Sequence, residues 1–444
     1  DLHLSIRRQR QMCIRDSYDE ASMFSYAAGL VVESYYNHVL KGQCEHVVYQ
    51  AHEWMTGLGA LYIQKHVPEV ATIFTTHATT IGRSIAGNHK PLYEYLFAYN
   101  GNQMAQELNV QSKHSIERET AHHVDCFTTV SEVTNRECAE LLDKPADVVL
   151  MNGFEKDFVP SKALFARKRR EARRKLREVA GALLGTEFDD DVMIISTSGR
   201  YEFRNKGIDL YMEAMNRSLR NKDLTRKILA FVQVPGWVCC PREDLKERLD
   251  SGKACDTPLQ WPLLTHWLHE MSHDQVIDYM KRYNMWNQPE DKVKVIFVPC
   301  YLDGADGIFN MHYYDLLIGM DLTVYASYYE PWGYTPLESV AFHVPCVTTN
   351  LSGFGLWVNQ LLGKEGELAD GVQVVRRTDY NSSEVADAIK DAITAYSAFT
   401  PHEVENIRHK AADISEHALW KHFIQYYYQA YDFALHKAKQ RRGR

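Results

Sequence analysis

No C-x-x-C pair occurs among the nine cysteines of this 444-residue chain, and their number is odd. That excludes a disulfide framework as its organising principle and suits a reducing compartment. No uninterrupted apolar run reaches the length of a bilayer-spanning helix. Internal repeats and low-complexity tracts are missing as well. Basic residues are outnumbered, 50 Lys and Arg against 58 Asp and Glu, and the formal charge of −8 argues against a nucleic-acid partner. What remains, at 45% hydrophobic and 24% charged residues, is a soluble globular chain long enough for two or three domains.

The first seventeen residues, DLHLSIRRQRQMCIRDS, follow neither a signal-peptide order nor a helix or strand period. They read as a foreign or disordered leader, and a helical pattern begins at Tyr18. Strands and helices then alternate. Candidate strands are His46–Gln50, Ala71–Thr76, Cys126–Val130, Val148–Met151, Val192–Thr197, Ile228–Val234, Val293–Val298, Leu322–Ala326, Cys346–Thr349 and Val372–Val375. This alternation predicts an α/β fold with parallel sheets covered on both faces. Nine Lys or Arg between Lys162 and Arg177 mark a solvated helix near a boundary. Two Rossmann-like domains follow, 18–155 and 156–412, with a C-terminal helix and basic tail at 413–444. Residues 239–291 read as a helical insertion whose His266, His269 and His273 share helical spacing; packing or oligomerisation outranks a metal there. The aromatic face of the last helix (Trp420, Phe423, Tyr426, Tyr427, Tyr431) reads as core.

Four constellations carry chemistry. Glu330 and Glu338 lie in YYEPWGYTPLE after a strand-like run, where an open α/β sheet offers a ligand site. Thr335-Pro336-Leu337-Glu338 reads as a capped helix start, with Thr335 as cap and Glu338 closing a capping box. Glu338 as a plain cap and Glu330 as a loop carboxylate is an equally good reading of those residues alone. Backbone N–H groups at such a start suit an anion such as a diphosphate. His77 ends the strand ATIF within TTHATTIGR, with Arg83 six residues on. Arg200 and Lys206 stand six apart in SGRYEFRNKG, at another strand end. Two such cations suit a departing diphosphate or, equally, a solvated surface. NLSGFG (350–355) is a glycine-rich turn after a further strand.

Together HEW (52–54), TIFTTHAT-x-x-GR (72–83), FTTVS (127–131), GRYEF-x-NKG (199–207), VKVIF-x-P (293–299), YYEPWGYTP-x-E (328–338) and TNLSGFG (349–355) resemble the glycogen synthases of the animal and fungal type. The resemblance runs from about Tyr18 to about Lys439. It implies the GT-B architecture, two Rossmann-like domains with parallel sheets facing a cleft. It also implies a retaining glucosyltransferase passing glucose from UDP-glucose to the 4-OH end of an α-1,4-glucan, cytoplasmic, without metal or other cofactor. By the same resemblance Glu330 sits against the donor glucose and Glu338 against its ribose. Arg200 and Lys206 bind the diphosphate, while Gly333, Tyr334 and Thr335 hold the nucleotide. His77 and Arg83 belong to the first domain's share of the site. Glycogen as acceptor and a homo-oligomer, tetrameric in the family, are the implied partners.

Two departures temper the expectation. The family's first strand and Gly-rich donor loop have no counterpart before HEW, so the chain reads as an N-terminally truncated member with an incomplete first sheet. The segment PHEVENIRHKAADISEH (401–417), which matches a glucose 6-phosphate-sensing helix in the family, holds only Arg408 and Lys410 as Arg or Lys. Strong activation by that sugar phosphate is therefore not expected. Other retaining GT-B transferases share the paired glutamates and cations but not YYEPWGYTP together with TTHAT. A non-catalytic glucan-binding protein is the third class.

Overall fold

The computed structural model describes residues 19–443; the leader read at 1–17 lies outside the described residues. It divides into two compact units, Asp1–Gly153 with Trp420–Arg444, and Phe154–Leu419.

The first unit is built on β1 (Val48–His52), β2 (Ala71–Thr76), β3 (Cys126–Thr129) and β4 (Val148–Val149), all parallel and in that spatial order. Every residue of β2 and β3 is buried. Their continuous β-branched and aromatic runs fit strands covered on both faces. Phe74 and Phe127 pack on one side with Ala60, Ala121 and Leu142. On the other, Ile73, Cys126 and Leu150 meet the helix Trp420–Arg442. Phe423 and Tyr427 of that helix are buried, and Tyr431 donates its hydroxyl to Gln50 Oε1 at 3.2 Å. Even the basic tail is used: Arg441 pairs with the buried Asp125 at 2.8 Å. The long helix ending at Tyr35 packs on the helix Trp54–His66, where Gly59 N–H donates to Ser25 Oγ.

The second unit carries β5 (Met193–Ser198), β6 (Ile228–Gln233), β7 (Val238–Pro241), β8 (His266–Leu268), β9 (Val293–Val298), β10 (Leu322–Val324), β11 (Cys346–Thr349) and β12 (Val372–Val375). Six of them form a parallel sheet in the order β12-β11-β10-β5-β6-β9. Alternate residues feed two cores. Met193, Ile195, Ala230 and Val295 face one, while Ile194, Leu229, Phe231 and Ile296 face the other. All ten strands read from the sequence are present.

Two expectations fail here. The insertion is not helical throughout: β7 and β8 pair antiparallel within it, and His266 lies on β8, so His266, His269 and His273 share no helix face. The basic helix, Lys162–Leu184, is not simply solvated. Arg169 and Arg173 turn inward onto Asp321, each at 2.7 Å, and Asp321 also accepts Ile194 N–H. The two guanidinium groups also donate to the carbonyls of Ile318, Met320, Gly319, Asp190 and Val192. Fork-shaped cations can satisfy several buried acceptors at once, which a run of charge in a sequence does not disclose.

Candidate functional site

In the second unit, the chain leaving β10 runs through buried Tyr325–Tyr329 to Glu330. The loop after β5 comes alongside it, because Tyr328 and Tyr329 N–H both donate to Asn205 O. Gly207 permits that approach: its φ is 69°, and an added Cβ would lie 1.9 Å from Ala326 O. Lys206 Nζ thereby reaches Glu330 Oε2 at 2.5 Å, with the two side chains only 14% and 13% exposed. Ser327 Oγ stands 3.4 Å from the same oxygen, and Glu330 O accepts Gly353 N–H. The turn after β11 is thus fastened to the carboxylate's own backbone.

The helix beyond Glu330 starts two residues earlier than its sequence suggests. It spans Tyr334–Ala341 with Gly333 as N-cap, and no side chain caps it. The expected capping box of Thr335 and Glu338 does not form. Gly333 takes φ 114°, where an added Cβ would meet Ser352 Oγ at 2.8 Å, and this tight turn sets the helix start in place of a threonine cap. Released from capping, Glu338 accepts the hydroxyl proton of Tyr314 at 2.8 Å. Burial raises its pKa and that hydrogen bond partly opposes the rise. Tyr334 is half exposed beside it, and Thr335 is partly buried.

Arg200 does not join Lys206. It is 59% exposed and pairs with Glu202 at 2.9 Å in the same loop. The structure therefore gathers Glu330 with Lys206, and Glu338 with Tyr314, and leaves Arg200 at the rim.

In the first unit, His77 follows β2 and His52 ends β1. Their rings meet at Nδ1 to Nε2, 3.0 Å apart. Burial, and then His52, depress the His77 pKa to about 4, so the ring is neutral near pH 7. Next to His52, Glu53 has φ 66° and ψ 159°, a strained conformation for a residue with a Cβ. Its carboxylate accepts His77 N–H at 3.1 Å; burial raises its pKa and Arg83 lowers it. Thr79 caps the helix Thr80–Gly87 by accepting Gly82 N–H, and donates to Glu137. Arg83 is exposed on that helix. Fully buried Glu117 accepts from Thr76 Oγ1 and Thr80 N, and burial pushes it up to about 7.

Sequence reasoning missed Tyr314, Glu53 and His52 as members of these sites. HEW was a visible word for the latter two; Tyr314 had no signal. Among the described residues, His266, Cys300 and Asp306 each offer a metal-ligating atom within 4.8 Å of the others. His266 and Asp306 are already partnered. His266 bonds Thr265 Oγ1 and Asp306 O, while the Asp306 carboxylate accepts N–H groups of Ile308, Phe309 and Asn310.

Comparison with known proteins places this geometry. The family model described as glycogen synthase matches residues 12–240 and 243–442. Glycogen [starch] synthase of Neurospora crassa is 27% identical, covering 95% of this chain and 67% of its own length. The liver enzyme of Rattus norvegicus is 27% identical over 89% of this chain and 63% of its own. Isoform 1 of Saccharomyces cerevisiae is 26% identical over 95% and 68%. The chain thus spans about two thirds of the length of these relatives, in one case less. Among solved structures, the catalytic domain of Starch Synthase IV from Arabidopsis thaliana superposes with a TM-score of 0.55 at 13% identity, covering 95% of this chain and 78% of that one. Sucrose-phosphate synthase from Thermosynechococcus elongatus gives 0.52 at 15%, covering 96% and 78%. These likenesses show the α/β GT-B fold.

Proposed function

The chain belongs to the glycogen synthase family, and we propose from that premise that it transfers glucose, with retention, from UDP-glucose to the 4-OH end of an α-1,4-glucan. The observation that carries this reading is the 2.5 Å contact between Lys206 and Glu330 at the carboxyl edge of the six-stranded sheet. Glu330 stands where it can face the sugar being transferred. Lys206, held by it, supplies a fixed positive charge for the departing diphosphate. Arg200, exposed and paired with Glu202 in the same loop, adds a second cation when a diphosphate arrives. The backbone of Gly333, Tyr334 and Thr335 offers N–H groups at a helix start, and Glu338 is placed to accept ribose hydroxyls. His77 and Arg83 are proposed to bind substrate in the first unit. His77, neutral near pH 7, can exchange a hydrogen bond with a sugar hydroxyl without adding charge.

We also propose that no metal is needed, since fixed cations and backbone dipoles meet the leaving group's charge. Cytoplasmic location is supported by eight described cysteines that are all free thiols, and no described helix is long and apolar enough to cross a membrane. Self-association is supported by Met23, Phe24 and Val31, 64–73% exposed on the helix ending at Tyr35; sedimentation velocity checks it.

The decisive assay follows labelled glucose from UDP-glucose into glycogen. Incorporation should persist in EDTA and fall by orders of magnitude in Glu330→Ala and Lys206→Ala. Unchanged turnover in both variants, or no incorporation from any nucleotide sugar by the unsubstituted protein, would overturn the reading.

A further inference from the structure

Cys239 and Cys240 are the only two of the nine cysteines that neighbour each other in the chain. Both are exposed free thiols, whereas Cys126, Cys138, Cys300 and Cys346 are buried. They sit on β7, and there the strand is irregular. Val238 pairs with Leu268 and Cys240 with Trp267, so two steps along β7 match one step along β8, and Cys239 is the extra residue of a β-bulge. Successive side chains of a regular strand point to opposite faces, which would hold adjacent thiols apart. A bulge re-aims the side chain it adds. Here both thiols are exposed and lie within hydrogen-bonding reach of each other.

The strand on either side of the pair is anchored. Trp237 O accepts His269 N–H at 3.0 Å before it, and Arg242 N–H donates to Thr265 O at 3.4 Å after it. Val238 and Pro241 are partly buried. Cys239 itself has no partner residue across the ladder, so its peptide can turn without breaking a cross-strand pair. The Cys240 pKa is raised, first by its slight desolvation, then by the hydrogen bond and charge of Cys239, with Glu243 adding to the rise. Cys240 therefore keeps its proton the longer, and Cys239 supplies the thiolate that reacts first. Adjacent Cα atoms are about 3.8 Å apart, below the span of about 4.4–6.8 Å that disulfides usually bridge. A ring closed between these residues is strained, and such disulfides are readily reduced again.

We propose that Cys239 and Cys240 form a peroxide-reactive dithiol, which closes reversibly to a disulfide between adjacent residues. The Cys239 thiolate attacks one oxygen of hydrogen peroxide. An S–O bond forms, the O–O bond breaks, and the departing hydroxide takes up the proton that the thiol had lost, leaving as water. The Cys240 sulfur then attacks the Cys239 sulfur. The S–S bond forms, the S–O bond breaks, and the second hydroxide leaves as water with the Cys240 proton. Two thiols lose two electrons in all, and one hydrogen peroxide becomes two waters. Prompt closure spares Cys239 the irreversible sulfinic step. The site uses neither Lys206 nor Glu330, so it is independent of the transfer reaction proposed above.

Treating the reduced full chain with hydrogen peroxide, alkylating the remaining thiols and weighing its peptides by mass spectrometry tests it. The peptide holding both residues should lose two hydrogen atoms, take up no alkylating reagent, and regain both thiols in dithiothreitol. Cys240→Ser should instead trap dimedone at Cys239 as a sulfenic acid, and Cys239→Ser should leave the Cys240 thiol open to alkylation. Phenylarsine oxide, which is held by two thiols at once, should bind the unsubstituted chain at this peptide and each serine variant at least ~100-fold more weakly. Two alkylated thiols in that peptide after peroxide would overturn the proposal. So would a disulfide from either residue to any other cysteine or to a second chain, or equal arsenical binding by the three proteins.

Discussion

Tyr314 shows how much of the site depends on single atoms. Its hydroxyl is the hydrogen-bond donor to Glu338, and Glu338 is a partly buried carboxylate whose pKa is already raised by desolvation. Replacing Tyr314 with Phe removes the donor and keeps the ring stack on Phe342, 5.3 Å between centroids. The carboxylate then loses a partner that favours its charged form, so its pKa moves further up. On the proposed role of Glu338 at the ribose, the KM for UDP-glucose should rise roughly tenfold, the worth of one hydrogen bond of ~1.5 kcal/mol to a charged group. The acid limb of the kcat/KM profile should move to higher pH. A kinetic comparison of the two proteins at pH 6 and 8 checks this, and identical profiles would remove Tyr314 from the site. At this scale the sequence was partly legible. Glu330 and Lys206 announced themselves through neighbouring words, and they meet. Arg200, named with equal reason, pairs locally with Glu202. Tyr314 stayed hidden because an aromatic residue on a short helix has no spacing that points to a carboxylate 24 positions away.

Elements were read well where their period was long and poorly where geometry decided. The ten parallel strands are runs of β-branched and aromatic residues, and burial on both faces requires such runs. The β7–β8 hairpin has strands of four and three residues holding Cys, Pro, His and Trp, too short for any period to show. The helix Tyr334–Ala341 carries a capping-box pattern at Thr335–Glu338, yet the left-handed Gly333 before it starts the helix. What holds the hairpin is Arg242, 0% exposed, whose guanidinium pairs with Asp244 at 2.6 Å and donates to the carbonyls of Gln260, Trp261 and Leu264. The Trp267 ring lies 4.5 Å away, adding a cation–π contact. Arg242→Ala would leave those carbonyls buried without their donor and should cost ~3 kcal/mol of stability. Denaturant unfolding measures that loss. A cost near zero would mean water replaces the guanidinium, and the hairpin would need another explanation.

For the molecule as a whole, buried titratable groups set how stability depends on pH. His77 and His114 in the first unit and His343 in the second are each held down to about 4 from 6.5, chiefly by burial. Below pH 6.5 the unfolded chain takes up these protons and the folded units do not until about pH 4. Stability should therefore fall as the medium is acidified across that window. Glu117 works in the opposite sense. Its folded pKa of about 7 lies above the ordinary 4.5, so its contribution is full below pH 4.5 and is lost as pH rises through 7. In the first unit two histidines outweigh one glutamate between pH 4.5 and 6.5, and acid should still destabilise it. Above pH 7 the ionised Glu117 is a standing cost on the order of 3 kcal/mol. In Glu117→Gln the amide oxygen can still accept Thr80 N–H while its NH2 donates to Thr76 Oγ1 in place of the present bond, and the ionisation is abolished. Relative to the unsubstituted protein, the variant should gain stability steadily from pH 4.5 to 8. Thermal unfolding at pH 5 and pH 8 reads the difference directly, and an equal gap at both pH values would show that Glu117 ionises in the folded unit as easily as in the open chain.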